Sequence, residues 1–262
     1  MMYLTRMEKQ RSAGSGYPCD TAVWQNNAVI NFESPVTMLC GDNGCGKTTL
    51  IELIAAKLGV QRISSVNGLS AGQQRIRSAA DGWRTVMKAK PRHCLLFTAE
   101  SFTRYIDYIA SEKRFAQSEL EALDGKYGSD YARQLAAQPF AGTLAALEGM
   151  YDLPLEEQSH GQGFLEFFRA RLRPGGLYLL DEPEAALSYV NQLALICLMR
   201  EAVAEGSQFI LATHSPILMA CPGAVLMEME DGNLTQKTYR ELNSILFLRR
   251  FLSDPESLLE QL

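Results

Sequence analysis

No apolar run in this 262-residue chain is long enough to cross a bilayer: the longest are about seven residues, against the ~20 that a spanning helix needs. The first residues are polar and carry Gly and Ser without an apolar core, so no secretory leader is expected. Cysteine is present but unpatterned. Cys19, Cys40, Cys45, Cys94, Cys197 and Cys221 include no C-x-x-C pair, and no histidine stands at ligand spacing. That scatter speaks against structural zinc and a disulfide framework, and for a reducing, cytoplasmic setting. An excess of positive charge is also lacking. The formal net charge of −5 excludes broad, sequence-blind attraction to nucleic acid but leaves room for a local basic groove. No internal repeat is evident. Gly125, Gly128, Pro139, Gly142 and Pro154 interrupt the one helical stretch where heptads could run, so a long coiled-coil arm is excluded. The length suits one large α/β domain or two small ones.

Against these absences stands Gly41-Asp42-Asn43-Gly44-Cys45-Gly46-Lys47-Thr48-Thr49, which fits G-x-x-x-x-G-K-[ST]. An apolar run, Val36 to Cys40, precedes it, and a helical pattern of Leu50, Ile51, Leu53, Ile54 and Leu58 follows. A chance glycine turn would not need that strand and helix around it. Glycines let the backbone curl so that successive N–H groups face a phosphate, and the helix opening there adds about half a positive charge. Lys47 is expected to reach the β- and γ-phosphates, and the Thr48 hydroxyl to bind Mg²⁺. The pattern predicts binding of a nucleoside triphosphate.

Along the rest of the chain, residues 1–16 read as a frayed terminus or edge segment, and Thr21–Asn31 as broken strand. Gly59 stops the helix after the loop. Gln61–Arg92 is polar and turn-rich, with Arg75, Arg77, Arg84, Lys88, Lys90 and Arg92 making it the most basic stretch. Cys94–Thr98 reads as a buried strand. Ser101–Gln158 is mostly helical, with Tyr105, Ile106, Ile109 and Phe115 on one apolar face. A helix over Phe164–Leu172 leads to a strand at Leu177–Leu180, a helix over Ala185–Ala204 and a strand at Gln208–Thr213. Val225–Met229 and Leu234–Tyr239 form a hairpin around Asp231-Gly232-Asn233, and the last twenty residues are helical. Strands alternating with helices predict a mostly parallel sheet that binds phosphates at the strands' carboxyl ends.

Asp181 ends an apolar strand 134 positions after Lys47. Its carboxylate is placed to organise Mg²⁺, with Glu182 beside it to polarise water. A capping role for Glu182 or Glu184 ahead of the Ala185 helix is the competing reading. Leu179-Leu180-Asp181-Glu182-Pro183-Glu184-Ala185-Ala186-Leu187-Ser188 resembles the Walker B and D-loop region of ABC-type ATPases. Thr213-His214-Ser215-Pro216 resembles their switch histidine, and Ser159-His160-Gly161-Gln162 their signature sequence. The resemblance covers residues 17 to about 216. With the closing Asp254-Pro255-Glu256-Ser257 it extends to small, stand-alone bacterial members, nearer to the RecF, Rad50 and SMC heads than to most transporter subunits.

The resemblance implies an α/β P-loop NTPase fold of ABC-ATPase type. Its parts would be a mostly parallel central sheet with flanking helices, an antiparallel β portion and a helical signature subdomain at residues 101–173 of a single domain, 1–262. It implies ATP and Mg²⁺ as ligands and a homodimer sandwiching two ATP molecules. Ser159, the Gly161 N–H and Gln162 would then face the γ-phosphate of the opposite subunit, while Glu182 positions water and His214 holds the phosphate or water. The chain departs from the family at three points. Glu100 stands where a Mg²⁺-sensing Gln is usual and could still contact magnesium or its water, His160 replaces the signature's first glycine, and the D-loop aspartate is Ser188 here or is missing altogether. Tyr17 or Trp24 could stack on adenine, or either could be core. Cys45 is a variable position of the loop, open to a thiol reagent if exposed. For the work coupled to ATP three readings stand: a nucleic-acid switch in repair, recombination or defence, the energy subunit of a separate membrane transporter, or a slow regulatory ATP-binding module.

Overall fold

The computed structural model describes residues 2–10, 16–62, 70–123, 126–149 and 160–260. The chain begins with β1 (Leu4–Lys9), α1 (Ala22–Asn26), β2 (Val29–Asn31), β3 (Val36–Cys40), α2 (Lys47–Leu58), β4 (Gln61–Arg62), α3 (Ala71–Ala80) and β5 (Trp83–Met87). It continues through β6 (His93–Thr98), α4 (Ala99–Ala122), α5 (Asp130–Glu148), α6 (His160–Arg171), β7 (Gly176–Asp181), α7 (Tyr189–Ala204) and β8 (Gln208–Ala212). It closes with α8 (Pro216–Met219), β9 (Val225–Glu230), β10 (Asn233–Lys237), α9 (Asn243–Ser253) and α10 (Pro255–Leu259). A seven-stranded sheet has the order β10-β9-β3-β8-β7-β6-β4, parallel except for the β9–β10 hairpin. A separate antiparallel sheet has the order β2-β1-β5. The α/β fold with a mostly parallel sheet and an antiparallel portion is the one expected.

Side-chain alternation along the central strands sets the layers. Leu177 and Leu179 of β7 and Ile210 and Ala212 of β8 face one side, where they meet α2, α3 and the small sheet. Tyr178, Leu180, Phe209 and Leu211 face the other side, against α4, α6 and α7. Both faces are covered, so these strands read as unbroken apolar runs. Phe97 of β6 joins the helices to the sheet, with ring centroids 4.6 Å from Phe164, 5.4 Å from Phe167 and 5.9 Å from Phe168. The fully buried Gln208 clamps the small sheet on: its Oε1 accepts from the N–H groups of Tyr3 and Leu4, and its Nε2 donates to the Leu4 carbonyl.

Several local expectations are corrected. Residues 4–9 form the middle strand of the small sheet, with Leu4 and Met7 fully buried, where a frayed or edge segment was expected. Residues 22–26 are a helix, because Val23 and Trp24 turn inward together. The polar 61–92 stretch contains α3, whose capping box pairs Ser70 with Gln73, and then β5. Only Ile76, Ala79 and Ala80 of α3 are buried, too narrow a face for the apolar pattern to show. Pro139 and Gly142 do not interrupt α5, which runs through both. Along α4, Phe102, Ile109 and Ala116 recur at seven-residue steps on the buried side, whereas Phe115 is exposed. The helix expected from Ala185 is divided: a 3₁₀ turn at Pro183–Ala186 precedes α7, which Ser188 caps by accepting from the Asn191 N–H.

Candidate functional site

Cys40 ends β3, and the chain then turns through Gly41 (φ 134°), Gly44 (φ 77°) and Gly46 (φ 109°) before α2 opens at Lys47. Two of these glycines are required by space as well as by φ. A Cβ at Gly41 would lie 2.5 Å from the Met229 carbonyl oxygen, and one at Gly46 would lie 2.6 Å from Val23 Cγ1. No side chain caps α2, so its first N–H groups are left for an anion. Lys47 is buried, and its Nζ donates to the carbonyls of Gly41 (3.0 Å) and Asp42 (2.8 Å). Asp42, Asn43 and Gly44 are exposed at the crest of the loop and Cys45 is half-buried. Together with Gly41 and Gly46 they border a cavity of about 720 Å³ that also meets Tyr17 and Thr49. The Tyr17 hydroxyl lies 3.1 Å from Thr49 Oγ1. Burial pushes the Cys40 thiol beneath the loop up to about 12, which keeps it protonated.

Register brings the second half of the site alongside. β8 lies between β3 and β7, and Ala212 pairs with Leu39 on one side and Asp181 on the other. The loops leaving the three strands are therefore level. The Thr48 hydroxyl donates to Asp181 Oδ1 at 3.1 Å. Burial raises the Asp181 pKa to about 6; the Thr48 bond opposes that rise and the Glu182 carboxylate adds to it. Glu182 has a left-handed backbone (φ 48°), rare for a residue with a Cβ. Its N–H donates to the Ala212 carbonyl at 2.9 Å. His214 Nε2 stands 3.5 Å from Glu182 Oε1, and this buried nitrogen has no hydrogen-bond partner among the described residues.

Other expected site residues are placed elsewhere. Glu100 lies in the first turn of α4, exposed, and pairs with Arg104 rather than with Thr48 or Asp181. Gly161 is buried in the first turn of α6, where a Cβ would lie 2.3 Å from Asn191 Nδ2 and 3.3 Å from the Ala186 carbonyl. Gln162 is exposed on the same turn, and Ser159 lies outside the described residues. Trp24 is core: it is 3% exposed and meets Trp83 edge-on at 5.5 Å. The adenine-stacking candidate that remains is Tyr17. Glu184, weighed only as a helix cap, instead bonds the 213–215 loop across 30 residues of sequence. Its only sequence signal was a second carboxylate one residue past the Asp-Glu-Pro.

The residues present fit a magnesium nucleotide. Thr48 and Asp181 offer the hard oxygen donors Mg²⁺ prefers, and the orphaned His214 nitrogen is a polar atom awaiting a partner. Among the described residues no group of three His, Cys, Asp or Glu could hold a metal ion without help. Mg²⁺ commonly keeps water and takes phosphate oxygens beside one or two protein ligands, so this donor set is sufficient.

Two sequence families match the chain. One described as "AAA domain" covers residues 22–126, and one described as "AAA domain, putative AbiEii toxin, Type IV TA system" covers residues 164–220. The cytochrome c biogenesis ATP-binding export protein CcmA 1 of Salmonella typhimurium is 26% identical over 85% of this chain and 89% of its own length. The ribose import ATP-binding protein RbsA of Lacticaseibacillus paracasei is 25% identical over 68% of this chain and 34% of its own length. Among solved structures, the Smc head domain of Pyrococcus furiosus bound to the C-terminal domain of ScpA aligns with TM-score 0.48 and 15% identity, over 95% of this chain and 100% of that one. The phosphate loop, the strand-end Asp-Glu pair and the histidine loop thus lie at the ends of one parallel sheet, in a chain that matches AAA-domain models and is similar to the ATP-binding proteins of ABC transporters.

Proposed function

We propose that two copies of this chain sandwich Mg²⁺·ATP and hydrolyse it to ADP and phosphate, as a switch acting on nucleic acid. The observation that carries the ATPase site is the level junction of three strand ends, which sets Lys47, Thr48, Asp181, Glu182 and His214 around one helix N-terminus. Lys47, now held by two loop carbonyls, is the cation for the β- and γ-phosphates, and the loop N–H groups bind their oxygens. Thr48 and Asp181 would hold Mg²⁺, which when bound draws negative charge from the phosphates. Glu182 accepts a hydrogen bond from the attacking water and so polarises it, and His214 fixes the geometry of that water or of the γ-phosphate. Tyr17 lies along the cavity wall, where it can stack on the base.

The dimer is carried over from the resemblance to ABC-type ATPases. Gly161, in the first turn of α6, packs on Asn191 and the Ala186 carbonyl, and neither Gly161 nor Gln162 borders the cavity beside the phosphate loop. Ser159, Gly161 and Gln162 are therefore proposed to complete the site of a second copy. For the coupled work, Arg75, Arg77, Arg84, Lys88, Lys90 and Arg92 are all exposed, as phosphate-backbone contacts must be. A second reading, the energy subunit of a transporter with its own membrane chain, is favoured by the relatives whose names describe export and import.

The test is the steady-state ATPase rate with and without linear duplex DNA, beside Glu182→Gln. The expected result is turnover lost in Glu182→Gln by about a hundredfold or more, with ATP-dependent dimer accumulating in gel filtration. DNA stimulation supports the nucleic-acid switch. Turnover indifferent to DNA moves the coupling to a protein partner, and a monomer at saturating Mg²⁺·ATP overturns the sandwich.

A further inference from the structure

The turn after the Asp-Glu pair holds the histidine loop at two points. Glu184 Oε1 accepts the Thr213 hydroxyl at 2.8 Å, the His214 N–H, and the Ser215 N–H at 3.2 Å. From the other end, the Ser215 hydroxyl donates to Oε1 of the buried Gln192, whose Nε2 donates to the Leu187 carbonyl at 3.0 Å. Leu187 directly follows the Pro183–Ala186 turn that carries Glu184. The grip is thus a closed ring, running from Glu184 through residues 213–215 and Gln192 back to Leu187. Ser188 caps α7, which leaves the Glu184 carboxylate to reach across the sheet end.

From this ring we infer that Glu184 is a positioning residue: it sets the His214 ring against Glu182 and, through Gln192, ties that ring to the turn on which the first turn of α6 packs. The inference rests on the proposed ATPase site and deepens it. His214 has no hydrogen bond to its own Nε2 among the described residues, whereas its backbone N–H is bound by Glu184. The same turn supplies the Ala186 carbonyl against which Gly161 packs. Residues 213–215 are thus joined to the start of α6 by a path of direct bonds and one close packing contact.

The experiment compares Glu184→Ala, Glu184→Gln and wild type in two readouts. In steady-state kinetics Glu184→Ala is expected to lower kcat by about tenfold or more with KM for ATP within about twofold, because placement for the reaction is lost and the phosphate loop is not. Glu184→Gln keeps an oxygen that accepts the same donors, and its kcat is expected to return to within about threefold of wild type. The second readout needs no turnover. The chain has three histidines, and the His214 imidazole resonance is identified by its loss in His214→Ala. It is expected to shift or broaden in Glu184→Ala and to sit at the wild-type position in Glu184→Gln. Should Glu184→Ala fail to fold, Gln192→Met opens the ring at its other side and is expected to lower kcat in the same way. A Glu184→Ala protein with wild-type kcat and an unmoved His214 resonance overturns the inference, as does a rise in KM at constant kcat. If wild type shows no Glu182-dependent turnover, the ATPase site itself fails, while the histidine spectrum still decides whether Glu184 places His214.

Discussion

Asp181 is a carboxylate placed where its charge is poorly solvated. Its pKa of about 6, against an ordinary 3.8, arises first from burial, with the Thr48 hydroxyl as the main opposing contact. The folded, metal-free chain thus binds a proton at Asp181 more tightly than the unfolded chain does. Stability from this group is complete below pH ~4 and is lost as pH rises through about 6, by up to ~3 kcal/mol. Asp181→Asn removes that loss. Thermal unfolding in EDTA is expected to show the variant more stable than wild type at pH 7.5, with the two converging towards pH 4. A variant less stable than wild type at pH 7.5 would show that the ionised form is well accommodated. Asp181 and Glu182 were legible as acids at a strand end, because residue type and an apolar strand before them are local features. Glu184 was not, because a carboxylate one residue past Pro183 reads as a helix cap until the 213–215 loop is seen beside it. Glu100 shows the reverse: a position assigned by resemblance whose side chain pairs with Arg104, one helical turn away.

Among the elements, β6 and α6 decide how the helices sit on the sheet. Phe97 is fully buried and meets Phe102, Phe164, Phe167 and Phe168. Phe97→Ala is expected to destabilise the fold by ~3–5 kcal/mol, since the rings contributed by two helices cannot all collapse into the space. Urea denaturation checks this, and a loss below about 1 kcal/mol would mean that α4 and α6 are not anchored there. Strands such as β3, β7 and β8 were legible because unbroken apolar runs ending at Gly41, Asp181 and Thr213 leave few alternatives. α3 and β1 were not: each gains its state from a partner distant in sequence. β1 is held by Gln208, more than 200 positions away, and no local pattern contains that bond.

At the scale of the whole molecule, the proposed sandwich would pair the phosphate loop of one copy with the start of α6 of another. If two copies complete each other, Lys47→Ala and Ser159→Arg are each inactive alone. A one-to-one mixture forms heterodimers that retain one intact site, and is expected to recover about a quarter of wild-type activity when subunits exchange freely. A mixture as inactive as either variant, despite demonstrated exchange, would exclude a shared site. No helix among the described residues is long and apolar enough to cross a membrane.

The amino-acid sequence by itself determined the phosphate loop, the strand-end acids and the alternation of strands with helices. These depend on glycine's freedom, on charge at a strand end and on side-chain period, all of which are local properties. The tertiary structure alone decided that β8 lies between β3 and β7, that Trp24 is core while Tyr17 borders the cavity, and that Glu184 holds the histidine loop. Each of these is a contact between residues far apart in the chain. Its free energy arises only when burial brings the two partners together and removes water from between them.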